Sequence, residues 1–233
     1  RESAYIIPDG VATLSDNSFE NCRDLTSVKI PASVITIGEG VFFNCSLEFI
    51  TVDSANQNYS NDEHGVLFTK DKTELIQYPI NSKEAAYIIP EGTLSVKADA
   101  FHNAGNIERI VVAKSVESIE ANAFFLCNKL EFVHIPESVT EIGEKIITNG
   151  AYICSESENC FAKEYAAANQ IPFRICGNHA ATGITLSDSE IEITNKQPCQ
   201  LTAVVVPDSA ADRSIEWSSD NTAVATVDKN GLV

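Results

Sequence analysis

Methionine is absent from the 233 residues, tryptophan occurs once, and lysine plus arginine number only 16 against 33 acidic residues. The shortage of cations excludes the most. A formal charge of −17 repels phosphate backbones and anionic headgroups, so nucleic acids and membrane surfaces are poor partners. No apolar run approaches the ~20 residues that a membrane-spanning helix requires. No basic-then-apolar leader is present either, and with Arg1 at its start the sequence reads as a mature or trimmed chain. Cys-x-x-Cys pairs are missing, which argues against zinc. So are the Gly-x-Ser-x-Gly elbow and the phosphate-binding loop, which removes two common catalytic signatures. His64, His102, His134 and His179 are scattered without metal-ligand spacing. Carboxylate pairs carry no information in a chain this acidic. The expectation is a non-enzymatic protein with no cofactor and no metal.

What the chain does hold is a repeat. Ile7-Pro8, Ile30-Pro31, Ile89-Pro90, Val112-Ala113 and Ile135-Pro136 occupy equivalent places, with steps of 23 from the first to the second and between the last three. Eleven residues after each of the first four proline positions comes Phe19, Phe42, Phe101 or Phe124. Three residues later stands Cys22, Cys45, Ala104 or Cys127, and then Leu25, Leu47, Ile107 or Leu130 opens the next apolar alternation. Leu25-x-x-Val28-x-Ile30 ends in period-two spacing, which predicts a strand with one buried face, stopped by the proline. The Phe-x-x-Cys stretch is too short for a stable helix and predicts a single helical turn. No period can bury its own apolar face, so successive periods must stack into a solenoid. Cys22, Cys45 and Cys127 are then expected as a ladder of buried thiols.

The period breaks once. Between Val52 and Ile89 about fourteen residues are inserted, and Gly65–Phe68 and Glu74–Pro79 flank polar Thr69–Thr73, a hairpin signal. Ile76-x-Tyr78-Pro79 can stand in for Val28-x-Ile30-Pro31, so the sheet is expected to continue through the insertion. Asp53, Asn56, Asn58, Asp62 and Glu63 cluster there, and a solvated turn is the expected reading over a Ca²⁺ loop. Cys154, Cys160, Cys176 and Cys199 lie off the repeat; Cys154 could pair with Cys160 or with Cys176.

The motif running from Ile37-Gly38 through Ala123-Phe124-x-x-Cys127-x-x-Leu130 to Ile135-Pro136 resembles the BspA-like (Treponema-type) leucine-rich repeat. The resemblance covers about residues 4–176, with an atypical terminal cap at about 143–176 that includes a helical segment and a closing strand at 171–175. After a polar linker at 177–183, residues 184–233 resemble a truncated group-2 bacterial immunoglobulin-like domain. That likeness rests on Leu201-Thr202-Ala203, Trp217-Ser218-Ser219 and Ala225-Thr226-Val227-Asp228. The expected fold is mainly β with short helical turns: a leucine-rich-repeat solenoid plus an immunoglobulin-like β-sandwich segment. The resemblance implies a secreted or cell-surface bacterial protein that adheres to an extracellular protein or glycan, of the host matrix or of other bacteria. The alternative is a spacer or stalk that displays another domain.

If recognition is the function, outward-pointing strand positions are where to look. The alternation puts Ser27, Phe49, Leu75, Arg109 and Phe132 in one outward column. Lys29, Thr51, Gln77, Val111 and His134 fall in the next. Phe49, Leu75, Arg109, Phe132, Lys29 and His134 are the candidate contact residues.

Overall fold

The computed structural model describes residues 3–148, 150–176, 183–186, 203–206, 217–219, 226–228 and 232. The chain divides into two compact units, Arg1–Gly177 and Asn178–Val233. The first unit opens with β1 (Ala4–Ile6), β2 (Thr13–Leu14), β3 (Ser27–Ile30), β4 (Thr36–Ile37) and β5 (Phe49–Val52). The inserted segment holds β6 (Tyr59–Asn61), β7 (Leu67–Thr69) and β8 (Glu74–Gln77). Then come β9 (Ala86–Ile88), β10 (Ser95–Val96), β11 (Arg109–Val111), β12 (Ser118–Ile119), β13 (Phe132–His134) and β14 (Glu141–Ile142). The unit closes with β15 (Tyr152–Ser155), α1 (Phe161–Ala168) and β16 (Phe173–Ile175).

Each regular period contributes a long strand to one face and a two-residue strand to the opposite wall. Long strands pair in parallel with the copy one period away: Ser27 with Ala4, Arg109 with Ala86, Phe132 with Arg109. Val28, Ile30, Ile50, Ile110, Val133 and Ile135 point into the core and are buried. The proline position ends the strand in a turn, in which Val34 N–H donates to Pro31 O and Val139 N–H to Pro136 O. Serine hydroxyls stitch neighbouring periods at this corner. Ser33 Oγ accepts from Gly10 N–H at 3.0 Å and donates to Val11 O at 2.8 Å, and Ser115 does the same for Gly92 and Thr93.

The Phe-x-x-Cys stretch is a string of tight turns, not a helix. Its backbone is left-handed at two positions four residues apart, and these recur with the period: Asn17 and Asn21, Gly40 and Asn44, Asp99 and Asn103, Asn122 and Leu126. Asparagine, aspartate and glycine tolerate that region; leucine does not, so Leu126 is strained. Turns stack through main-chain bonds, such as Phe19 N–H to Val41 O and Phe101 N–H to Ala123 O. Cys45 and Cys127 are buried and Cys22 half-buried. The thiols of Cys45 and Cys127 donate to Phe19 O (2.9 Å) and Phe101 O (3.1 Å) in the preceding turns. Burial pushes these thiols up to about 11 and about 12, so they stay protonated.

The insertion does not continue the long-strand sheet, contrary to the expectation from Ile76-x-Tyr78-Pro79. Instead β8 pairs in parallel with β10 in the wall, Leu75 beside Val96, and folds back antiparallel on β7, which pairs with β6. The place beside β11 is taken by β9, whose Tyr87-x-Ile89-Pro90 carries the repeat pattern. The long strands therefore form two sheets, β1-β3-β5 and β9-β11-β13-β15-β16. The apolar interior divides likewise, and the hairpin is the partition: Leu67 joins the first core, while Val66, Phe68, Leu75 and Tyr78 join the second. Alternation along β7 is what lets one strand serve both sides.

At the far end Ile146 and Ile147 replace the Ala-Phe pair. Helix α1 lays Ala162, Tyr165 and Ala166 over the open core, and Tyr165 Oη accepts from Ile146 N–H at 3.2 Å. Strand β16 pairs with β15 to close the sheet. In the second unit β17 (Gly183–Leu186) and β18 (Ala203–Val206) form an antiparallel pair. Trp217–Ser219 and Thr226–Asp228 carry no regular structure. The apolar alternations at 191–193 and 223–227 also predict strands; 191–193 and 223–225 lie outside the described residues.

Candidate functional site

The outward face of the long strands is the surface the fold repeats most regularly. Its first part aligns Ala4, Ser27 and Phe49 in one column and Ile6, Lys29 and Thr51 in the next. Ile6 is 70 % exposed, and Lys29 stands in the open, its Nζ 3.9 Å from Asp53 Oδ2. Phe49 is 36 % exposed and lies on Gly65, which sits at φ +75°; a Cβ there would come within 2.6 Å of the Phe49 ring. Gly65 O in turn accepts from Ile50 N–H at 3.2 Å. The second part aligns Ala86, Arg109, Phe132 and Tyr152, and beside them Ile88, Val111, His134 and Cys154. Ile88 is exposed, while Arg109 is mostly covered, with Glu108 Oε2 3.8 Å away.

Three of the expected contact residues do not present a free surface. Leu75 is 0 % exposed, because its strand belongs to the wall and its side chain to the second core. Gln77 is displaced with it, and its amide donates to Tyr78 O and Ala100 O. Phe132 is 4 % exposed, its ring stacked on Tyr152 with centroids 5.4 Å apart, and the Arg174 guanidinium lies over Tyr152. His134 is 5 % exposed, with Nε2 3.2 Å from Glu156 Oε2. Glu156 also meets Lys114 at 3.4 Å. Burial opposes ionisation of Glu156, but its own backbone N–H, His134 and Lys114 outweigh it and hold the carboxyl below its ordinary range. Tyr152, Glu156 and Arg174 all come from the cap, so period spacing alone cannot foresee this covering.

Between the two sheets runs a seam that the sequence reading missed. Asp62 accepts at Oδ1 from His64 N–H (3.0 Å) and Val66 N–H (2.8 Å), and at Oδ2 from the Tyr87 hydroxyl of β9. Burial, and then the charge of Asp62, raise the Tyr87 phenol far above its ordinary value, so it remains a donor. His64 packs edge-on against Tyr87, with Glu63 and Glu84 at 3.7 and 3.8 Å. Asn56 is fully buried rather than solvated: its amide donates to Pro31 O and Val34 O and its oxygen accepts from Asn58 and Tyr59 N–H. These side chains are committed to holding the loop. Among the described residues no group of three or more His, Cys, Asp or Glu side chains is placed to bind a metal. On the wall side of the seam a cleft of about 230 Å³ is lined by Glu39, Glu74, Glu120 and Lys97 over Tyr59 and Ile76. Among the described residues no helix is long and apolar enough to cross a membrane.

The surface built from these parts offers apolar contact flanked by single charges. Comparison with known proteins agrees with the architecture. A stretch of 53 residues is 47 % identical to an uncharacterised protein of Clostridium acetobutylicum, covering 23 % of this chain and 6 % of that protein. A stretch of 60 residues is 35 % identical to a 3-O-alpha-D-galactosyl-alpha-L-arabinofuranosidase of Bifidobacterium longum subsp. longum, covering 23 % of this chain and 5 % of that enzyme. The chain thus spans about a twentieth of the length of these curated relatives. The crystal structure of the pneumococcal vaccine antigen PcpA superposes with a TM-score of 0.55 at 22 % identity, over 62 % of this chain and 42 % of that one. It shows a shared fold. The model of the BspA type leucine rich repeat region matches in six copies over residues 3–71 and 94–212, leaving out the stretch that holds β8 and β9 and reaching past Gly177. With most of its length matched, the chain belongs to the BspA type leucine-rich-repeat family.

Proposed function

We propose that this chain is a non-enzymatic recognition module, exported to the bacterial surface or secreted, that binds an extracellular protein or glycan. The observation that carries the reading is the outward strand face, where Ile6, Phe49 and Ile88 expose apolar surface beside Lys29. A parallel sheet can be covered on its outer side, and apolar residues left open on it often mark an interface. Family membership supports protein binding, and the pneumococcal vaccine antigen sharing the fold is consistent with an exported location. The ligand class, host matrix or another bacterium, follows from the family resemblance. Residues 184–233 would act as an immunoglobulin-like spacer after the solenoid.

The test is binding of the purified chain to a panel of matrix proteins, mucins and glycans, beside a Phe49→Ala/Ile88→Ala variant. Loss of two central apolar contacts is expected to weaken binding at least tenfold with the circular dichroism unchanged. Undiminished binding would take the strand face out of the interface and move it to the acidic cleft. Failure to bind any panel member would favour the stalk reading.

A further inference from the structure

The cap contains two thiols whose placement the solenoid does not explain. Cys154 stands on β15, directly opposite Arg174 of β16, and is fully buried. Cys176 follows the last residue of β16; its N–H donates to Ser155 O at 3.0 Å. Residues 154, 174 and 176 share the outward face, since 153 and 173 face the core cluster. On that face the two thiols are in hydrogen-bonding contact with each other, and this contact, with burial, raises the Cys154 thiol far above its ordinary value, so it rests protonated. The third cap cysteine is otherwise engaged: Cys160, at the start of α1, donates its thiol to Ser157 O at 3.2 Å. Of the two pairings that spacing leaves open, the fold brings together one.

We propose that Cys154 and Cys176 are a redox pair that oxidises to a disulfide when the chain meets a disulfide oxidant, tying the closing strand to the sheet. Cys176 is the entry point, because it is only half-buried and its thiol makes a long contact of 3.6 Å with Ser155 O. Its thiolate attacks one sulfur of a small-molecule disulfide such as oxidised glutathione and expels one thiolate. The Cys154 thiol then attacks the Cys176 sulfur of the mixed disulfide, and its proton passes to the second thiolate as that group leaves. Two protein thiols are oxidised and one small disulfide is reduced to two thiols. Arg174, across the ladder from Cys154, offsets a small part of what Cys176, burial and Glu156 impose against negative charge on that sulfur. Inside the solenoid Cys45 also meets Cys22, but its thiol is bound at 2.9 Å to the Phe19 carbonyl within a stacked turn, and Cys127 has Ala104 where a neighbouring cysteine would stand. The bond would close a short loop containing the whole of α1 and pin the cap's outer edge.

The experiment incubates the full chain with a reduced/oxidised glutathione series, blocks free thiols by alkylation, and maps peptides without reduction. A cross-linked pair of peptides carrying Cys154 and Cys176, two hydrogens lighter and reversed by reductant, is the expected result. The oxidised protein should melt about 5 °C or more above the reduced one. Cys176→Ser lies at the strand's end and leaves the core intact; it should abolish both the cross-link and the response to reductant. Cys154 found alkylated throughout, or joined to Cys160, overturns the proposal.

Discussion

At the scale of single residues the solenoid is a matter of conformational permission. Two left-handed backbone positions in every turn explain why asparagine precedes the cysteine at Asn21 and Asn44 and why Asn103 precedes Ala104. The exception, Leu126, holds φ at 57° with a branched side chain that is 36 % exposed and so gains little from burial. A left-handed leucine costs about 1–2 kcal/mol. Leu126→Asn should therefore raise the melting temperature by about 2–4 °C, with the bond from its N–H to Thr148 Oγ1 kept. The mirror substitution, Asn103→Leu, should lower it by a similar amount. An unchanged melting point in both would mean that the turns relax without cost. The repeat of Phe and Cys was legible from the sequence because burial selects their size. The asparagine position was equally periodic but went unread, since its reason is a dihedral angle and not packing.

At the scale of elements, what could and could not be read divides at the insertion and the cap. Ile76-x-Tyr78-Pro79 and Tyr87-x-Ile89-Pro90 both fit one strand slot, and the spacing cannot choose between them. The choice is made by the hairpin turn at Thr69–Thr73, where Asp71 accepts from both threonine hydroxyls and folds β8 back onto β7. That places Leu75 in the wall. Phe132 and His134 alternate with the core residue Val133 on β13, but they are covered by Tyr152, Glu156 and Arg174, from later in the chain. This cap has a pH signature. The Glu156 carboxyl is held below its ordinary range in the folded chain, so its stabilisation is complete above that range and is lost as pH falls through the lowered value. Glu156→Gln should flatten the fall in melting temperature between about pH 5 and pH 3. A variant with the same acid limb as the parent would remove Glu156 from the balance.

At the scale of the solenoid the two cores set the cooperativity. Among the described residues the bonds at the seam on the strand side include Ile50 N–H to Gly65 O, Val52 N–H to Asn61 Oδ1, Asn81 N–H to Leu47 O and the Tyr87 hydroxyl to Asp62 Oδ2. Tyr87→Phe leaves a carboxylate short of one charged hydrogen bond, worth about 1.5–3 kcal/mol. Native-state hydrogen exchange should then show residues 27–52 and 109–154 opening at separate free energies, further apart in the variant. One common opening energy in both proteins would mean a single cooperative core. The partition hairpin has a mechanical meaning as well. If the solenoid is hauled between β1 and β16, each sheet resists as a row of parallel ladders loaded together, while the seam bears the load through a handful of bonds taken singly. Under such a pull the seam is where the solenoid should part first, one half opening before the other and the chain lengthening in two steps.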